Sequence, residues 1–307
     1  MAHVIRLAAL AILATLTTPA FACSICRCGD PTFNALGNEG VSQSGLRIAL
    51  DWDQLEKTQG GESETASLKE ERMTLLAAYG FSDRFGVFVR VPYSERDLTE
   101  TEDGVSEHVQ ASGLADPEIY GQARLWSSGF DAEVGLRASI FAVFGTKTNW
   151  GENDASQDGE RLDEHAQPGT GSTDWFAGVF GSYLLNRRSV FFASAQYRRT
   201  GRNDTGYRYG DVVLANLAYE HKLGLRWYAV VEANYRHADR DEVDRDGTLD
   251  PDTGGSIVYI TPRLLFEAGG GWVLRVAGQI PLSQGGLYAS QHENTVVNAG
   301  ITYLFKD

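Results

Sequence analysis

The stretch Trp227-Tyr228-Ala229-Val230-Val231-Glu232-Ala233-Asn234-Tyr235-Arg236 decides the fold. Trp227, Ala229, Val231, Ala233 and Tyr235 form one set, and Tyr228, Val230, Glu232, Asn234 and Arg236 form the other. A β-strand sends successive side chains to opposite faces. The first face suits lipid or a dry core, and the second suits water. Aromatics at the ends of the apolar set, with charge on the opposite set, are the pattern of a transmembrane β-barrel strand.

Working outward, the same unit recurs from Leu46 to Phe305, each stretch followed by a turn. The alternation predicts strands over 45–57, 71–81, 85–97, 115–126, 131–145, 174–186, 189–200, 207–221, 225–237, 256–267, 271–283 and 294–305. Tight turns fall at Ser82-Asp83-Arg84, Ser127-Ser128-Gly129, Asn186-Arg187-Arg188, His221-Lys222-Leu223-Gly224 and Ala268-Gly269-Gly270. Most of the intervening connections are long and polar, at 58–70, 98–114, 146–173 and 238–255; those near 201–206 and 284–293 are shorter. Short turns on one rim and long loops on the other are what outer-membrane barrels show, the short ones being periplasmic. A soluble sandwich has no reason to keep that order. The expected fold is all-β, an antiparallel transmembrane β-barrel of about 12 strands over residues 45–307.

Composition agrees. Glycine stands at 34 residues, aromatics at 11% and proline at 8 residues, which favours turns and interfacial belts over a helical protein. The net charge of −14 argues against nucleic acid as a partner, because phosphate binding needs a basic surface. The mean hydropathy of −0.27 is compatible with a membrane barrel, whose strands show lipid only every second residue.

Residues 1–22 read as a secretory signal peptide. Arg6 supplies the positive region, Leu7 to Leu16 the apolar core, and Ala20-Phe21-Ala22 the cleavage site. The apolar run is about half of the ~20 residues a membrane helix needs. Residues 23–44 then form a periplasmic segment ahead of the barrel. At the other end Asn298, Gly300, Tyr303 and Phe305 resemble the terminal signal read by the barrel assembly machinery, although Lys306 and Asp307 follow the last aromatic.

Several further pieces carry a family resemblance. They are Tyr79-Gly80-Phe81-Ser82-Asp83-Arg84-Phe85-Gly86-Val87, Val91-Pro92-Tyr93 and Ser112-Gly113-Leu114-Ala115-Asp116-Pro117, then Gln167-Pro168-Gly169-Thr170-Gly171-Ser172, Thr261-Pro262-Arg263 and Gln279-Ile280-Pro281-Leu282. In this order they resemble the outer-membrane transporter family named after the meta-pathway of phenol degradation, over roughly residues 45–305. Ala115 departs from the second glycine of the usual Gly-x-Gly-Asp turn. The resemblance implies passage of small aromatic or other apolar compounds across the outer membrane.

If the apolar set faces lipid, the pore-lining set includes Arg47, Asp51, Asp53, Arg90, Glu118, Arg124, Glu133, Arg137, Arg198, Glu232, Arg236, Arg263, Glu267 and Arg275, joined by Gln122, Gln196, Asn234 and Gln279. Lysine is absent from this set. The planar fork of arginine pairs with carboxylates, so such a lumen can be crosslinked by salt bridges. About twelve strands lie between the eight that side chains fill and the sixteen that leave an open channel. The expectation is a narrow channel with arginines and acids on opposite walls; the alternative is a ladder that fills the lumen.

All three cysteines fall together, in Cys23-Ser24-Ile25-Cys26-Arg27-Cys28. The spacing suits a thiolate-bound metal such as Cu or Zn, a disulfide or redox pair, or, at Cys23, a lipid anchor. A periplasmic partner at this segment is an associated expectation. His108, His165, His237 and His292 fall in or beside the long, acid-rich connections, where water contact or loose divalent-metal binding would each account for them. A barrel hydrolase needs a nucleophile beside a histidine, and His237 has no serine two residues away on its face. The reading is therefore a non-enzymatic channel for small molecules, with lipid and the assembly machinery as partners. A metal- or redox-linked component using the cysteine cluster is the alternative.

Overall fold

The computed structural model describes residues 45–60, 64–102, 105–131, 135–250, 253–287 and 291–305. The expected signal peptide, the Cys23, Cys26 and Cys28 cluster, and Glu133 lie outside the described residues.

Alternation builds twelve barrel strands: β1 Gly45–Gly60, β2 Glu64–Gly80, β3 Phe85–Glu102, β4 Glu118–Ser127, β5 Ala138–Lys147, β6 Asp174–Asn186, β7 Ser189–Arg199, β8 Val212–Lys222, β9 Trp227–Ala238, β10 Gly255–Gly269, β11 Trp272–Leu287 and β12 Val296–Leu304. Each pairs antiparallel with its sequence neighbours, and β1 pairs with both β2 and β12. The sheet is therefore closed. Closure satisfies the backbone hydrogen bonds that an open sheet edge would leave unpaired in lipid. No helix among the described residues is long and apolar enough to cross a membrane.

Short turns alternate with long connections as the sequence predicts, with three corrections. The turn after β4 is longer than Ser127-Ser128-Gly129. Phe130–Asp131 and Gly135–Leu136 pair with each other in a separate hairpin, and the barrel strand starts only at Ala138. β8 starts at Val212 rather than at 207. The connections 58–70 and 98–114 are mostly strand. β1 and β2 stay paired out to Gly60 and Thr65, and β3 continues to Glu102, where it pairs with the strand Val105–Leu114. Beyond the membrane both faces of these strands are wet, so polar residues occupy them without an apolar alternation to mark them.

The outer face is banded. Trp126, Tyr183, Phe191, Tyr219, Trp227, Trp272 and Phe305 are exposed near the short-turn rim, and Tyr93, Phe144, Trp175, Tyr197 and Tyr235 toward the long-connection rim. Several of these rings pack in pairs across strands, including Trp227 on Phe266 and Trp272 on Tyr303. Between the belts the outward residues are apolar or small, as with Ala229, Val231 and Ala233 on β9 and Leu274 and Val276 on β11. The eight residue steps from Trp227 to Tyr235 extend roughly 25 Å along the strand. Allowing for tilt, this suits the apolar height of an outer-membrane barrel.

Candidate functional site

The inner face is built by the other half of the alternation, and it has two unlike walls. On β9 to β12 and β1 it is charged. Arg275, almost wholly buried, donates from Nε to Asp51 Oδ1 at 2.8 Å and from Nη1 to Thr302 Oγ1 at 2.6 Å. These two strands are not neighbours. β12 lies between them, and the residue opposite both is Gly300. A Cβ there would stand 2.2 Å from Asp51 Oδ1 and 2.6 Å from Arg275 Nε, so the missing side chain is what lets the pair meet. Arg263 Nη2 lies 2.9 Å from Glu232 Oε1, both buried. Asn298 donates to Asp53 at 2.6 Å, and Arg236 donates to Glu293 at 2.7 Å.

On β3 to β7 the inner face is aromatic. Phe88 stacks on Tyr120 with centroids 4.7 Å apart, Tyr120 meets Phe176 edge-on, and Phe141 stacks on Phe180. Gly145 separates Tyr120 from Phe176 in the ladder, and a Cβ there would meet both side chains within 2.7 Å. Its absence lets the two rings close over the backbone. These rings join Leu76, Val230 and Leu265 in one apolar cluster inside the barrel. The pore-lining set read from the sequence holds only charged and amide residues, so this aromatic wall goes beyond it.

The boundary between the walls is bridged by arginine. Glu118 accepts from Arg90 at 2.6 Å and from Arg198 at 2.5 Å, and Arg198 also lies over the Phe176 ring. Arg47 sits over Phe88 at 5.9 Å. Arg90 and Glu118 face each other on adjacent strands, whereas Arg198 reaches Glu118 from β7 and Arg236 reaches Glu293 beside β1, so the pairs span from one to several strands. Arg124 pairs with the exposed Asp83 at the short-turn rim. Glu267, also near that rim, accepts from Tyr228 at 2.8 Å. Arg137 precedes β5 and is only half-buried, so it stands at the rim rather than along a strand.

Lysine also contributes to the interior, contrary to expectation. Lys147 is buried, 3.1 Å from Asp116 and 2.9 Å from Asp174. Asp116 is the anchor of the long connection 148–173. It accepts from Gly151 N at 3.1 Å, Thr170 N at 2.7 Å and Thr170 Oγ1 at 2.6 Å. Two of the family-like motifs, around Asp116 and around Thr170, therefore meet in space. The same connection is held by Arg96, which donates to the carbonyls of His165 and Gln167, and by packing of Leu162 and Ala166 on Leu98 and Ala111. Glu164 ties it to the next connection by accepting from Asn203 and Thr205. Burial disfavours the Glu164 carboxylate, yet hydrogen bonds from Arg161, Thr205 and Asn153 outweigh it and hold its pKa below the ordinary value. Asp241 shifts the opposite way: burial raises its pKa despite the hydrogen bonds from Tyr207 and Gly210.

The acid-rich 239–252 run spends its charges locally among the described residues. Glu242 pairs with Arg202 and Arg208, and Asp244 accepts from Asp246 N and Thr248 N. Among the described residues no group of three His, Cys, Asp or Glu is placed to hold a metal. One contact lies beyond the sequence reading. His237 Nδ1 lies 2.8 Å from Ser256 Oγ, its cross-strand partner on β10, and His237 Nε2 lies 3.4 Å from the exposed Asp239. The serine lies on the neighbouring strand, where a search along one strand does not reach.

No family model and no curated protein matches the sequence. Among solved structures, the chain is similar to the COG4313 outer membrane channel from Pseudomonas putida F1, at a TM-score of 0.64 and 12% identity, covering 86% of this chain and 96% of that one. The chain has the fold of an outer-membrane channel. The KdgM porin in complex with disordered oligogalacturonate aligns at a TM-score of 0.47 and 12% identity over 84% of this chain and 99% of that one. The CymD monoaromatic hydrocarbon channel aligns at 0.43 and 10% identity over 88% and 91%.

Proposed function

We propose that this barrel is a channel for small molecules with apolar, notably aromatic, bodies. The observation that carries the reading is the two-walled interior: an aromatic face on β3 to β7 opposite an arginine–carboxylate ladder. Apolar solutes gain from the first, while the paired charges of the second keep the lumen polar without leaving a lone charge exposed. The family-like motifs and the likeness to an outer-membrane channel support this reading. The charged interior residues, from Arg47 and Asp51 to Arg263 and Arg275, act in it as pore-lining groups. Planar-bilayer recording on refolded protein tests it: discrete conductance steps are expected, and a silent barrel would count against transport.

In the same reading residues 1–22 are removed, and the segment 23–44 lies in the periplasm with Cys23, Cys26 and Cys28 free to bind a metal, form a disulfide or carry lipid. Mass spectrometry of the mature N-terminus distinguishes these fates, and an unprocessed Met1 would contradict the assignment. We hold the chain to be a non-enzymatic transporter. The Ser256–His237–Asp239 contact lies on the outer face, its carboxylate is largely exposed, and a substitution of Ser256 by alanine should leave conductance unchanged.

A further inference from the structure

The aromatic wall carries two amides that its packing does not explain. Gln122 on β4 and Gln196 on β7 are 2% and 6% exposed, and among the described residues neither end of either side-chain amide has a hydrogen-bond partner. They lie on one row of the sheet. Gln122 pairs with Val143, Val143 with Gly178, and Gly178 with Gln196. The adjacent row on one side carries Phe88, Tyr120 and Phe176, and the row on the other carries Phe141 and Phe180. The two glutamines thus stand at the ends of one row of the inner face, joined through Val143 and Gly178 and flanked on both sides by rings.

The spacing is informative. Three strand intervals separate the glutamine backbones by about 14 Å along the wall, and less across its curve. Each side chain takes up several ångströms of that distance, so the two amides do not bond one another but can flank one small ring. An amide offers two donors and an acceptor with two lone pairs, so either end accommodates a hydroxyl or a carbonyl. Burying such a group without a partner is unfavourable, and an apolar side chain of the same shape would pack better among these rings. Two such amides at the ends of one row between rings call for a partner that the protein itself does not supply, and a bound molecule would supply it.

We infer that Gln122 and Gln196 form a selectivity site for uncharged molecules with one aromatic ring and a hydrogen-bonding group at each end. The inference rests on the channel reading and sharpens it from apolar solutes in general to this class. A pure hydrocarbon of the same size leaves both amides unpaired. A charged solute must shed its water among phenyl rings, so the site disfavours both.

The test uses full-length protein in detergent, with 1,4-benzenedimethanol as the probe and isothermal titration as the readout. The variant Gln122→Met/Gln196→Met keeps side-chain length and removes both amides. The expected result is binding to the native protein that weakens roughly tenfold or more in the double variant, since two neutral hydrogen bonds are lost. Each single variant should fall between. Resistance to urea should stay level or rise in the double variant, because it removes unpaired polar groups from an apolar cluster. Equal affinity in native and double variant overturns the site, and so does a double variant that binds less only because it unfolds more readily. Because titration does not depend on conductance, a silent barrel that still binds the probe would defeat the channel reading while leaving the site intact.

Discussion

Gly300→Ala separates Arg275 from Asp51 without touching either residue. The added Cβ falls 2.2 Å from Asp51 Oδ1 and 2.6 Å from Arg275 Nε, and neither of these buried groups has room to withdraw. Overpacking alone costs about 1–3 kcal/mol. If the pair is broken as well, the cost approaches the ~3–5 kcal/mol of leaving a buried charge unmatched. Arg275→Met should cost a similar ~3–5 kcal/mol by removing the buried guanidinium that pairs with Asp51. Arg275→Met with Asp51→Leu should cost much less than the sum of the two single changes, because no unmatched charge remains. The assay is equilibrium unfolding in urea of barrel reconstituted in lipid, read for all variants of the cycle under one condition. Additive costs in the double variant would refute the reasoning, as would Gly300→Ala behaving like a surface change.

Other consequences follow from the outer face and the loops. Val231→Arg places a charge between the aromatic belts and should destabilise the barrel by about 2–4 kcal/mol in lipid, whereas the same change at the exposed Val243 in the acidic connection should cost little. Asp116→Ala removes the acceptor of three hydrogen bonds and the partner of Lys147, so protease cleavage within 148–173 should become faster while the barrel stays folded. The Glu164 carboxylate has a lowered pKa, so its contribution is present above the ordinary value of 4.5 and is lost as pH falls below it. Asp241, with a raised pKa, carries the opposite sign: its contribution is present at low pH and declines as pH rises through that pKa. Hydrogen exchange, corrected for intrinsic rates, should therefore show the backbone amides of Leu162 and Gly169, in the connection that Glu164 ties down, losing protection on acidification before Gly210 does; simultaneous loss would contradict this.

How much of this could be read from the sequence depends on where alternation survives. On β9 it is unambiguous, and the pattern alone places Glu232, Asn234 and Arg236 on the inner face. On β5 it fails, because Phe141-Ala142-Val143-Phe144 is apolar on both faces, so the inward side chains of Phe141 and Val143 are indistinguishable from lipid-facing ones. The charged residues were legible as a face but not as pairs. Pairing depends on register and on gaps such as Gly300, and neither is visible along one strand. Glu293, which gathers Lys57, Arg236 and Tyr259, carries no sequence signal, since a two-residue bridge between strands has no periodicity. The fold of 148–173 rests on contacts with residues dozens of positions away, such as Arg96 and Asn203, and no local signal encodes those.

The central claim, that the barrel conducts small molecules along its two-walled interior, is tested most directly by single-channel recording in planar bilayers with and without 1,4-benzenedimethanol. The account predicts small, discrete conductance steps that the added solute reduces in a concentration-dependent way. A barrel shown to be folded and inserted that passes no current, or whose current ignores the solute at saturating concentration, would contradict it.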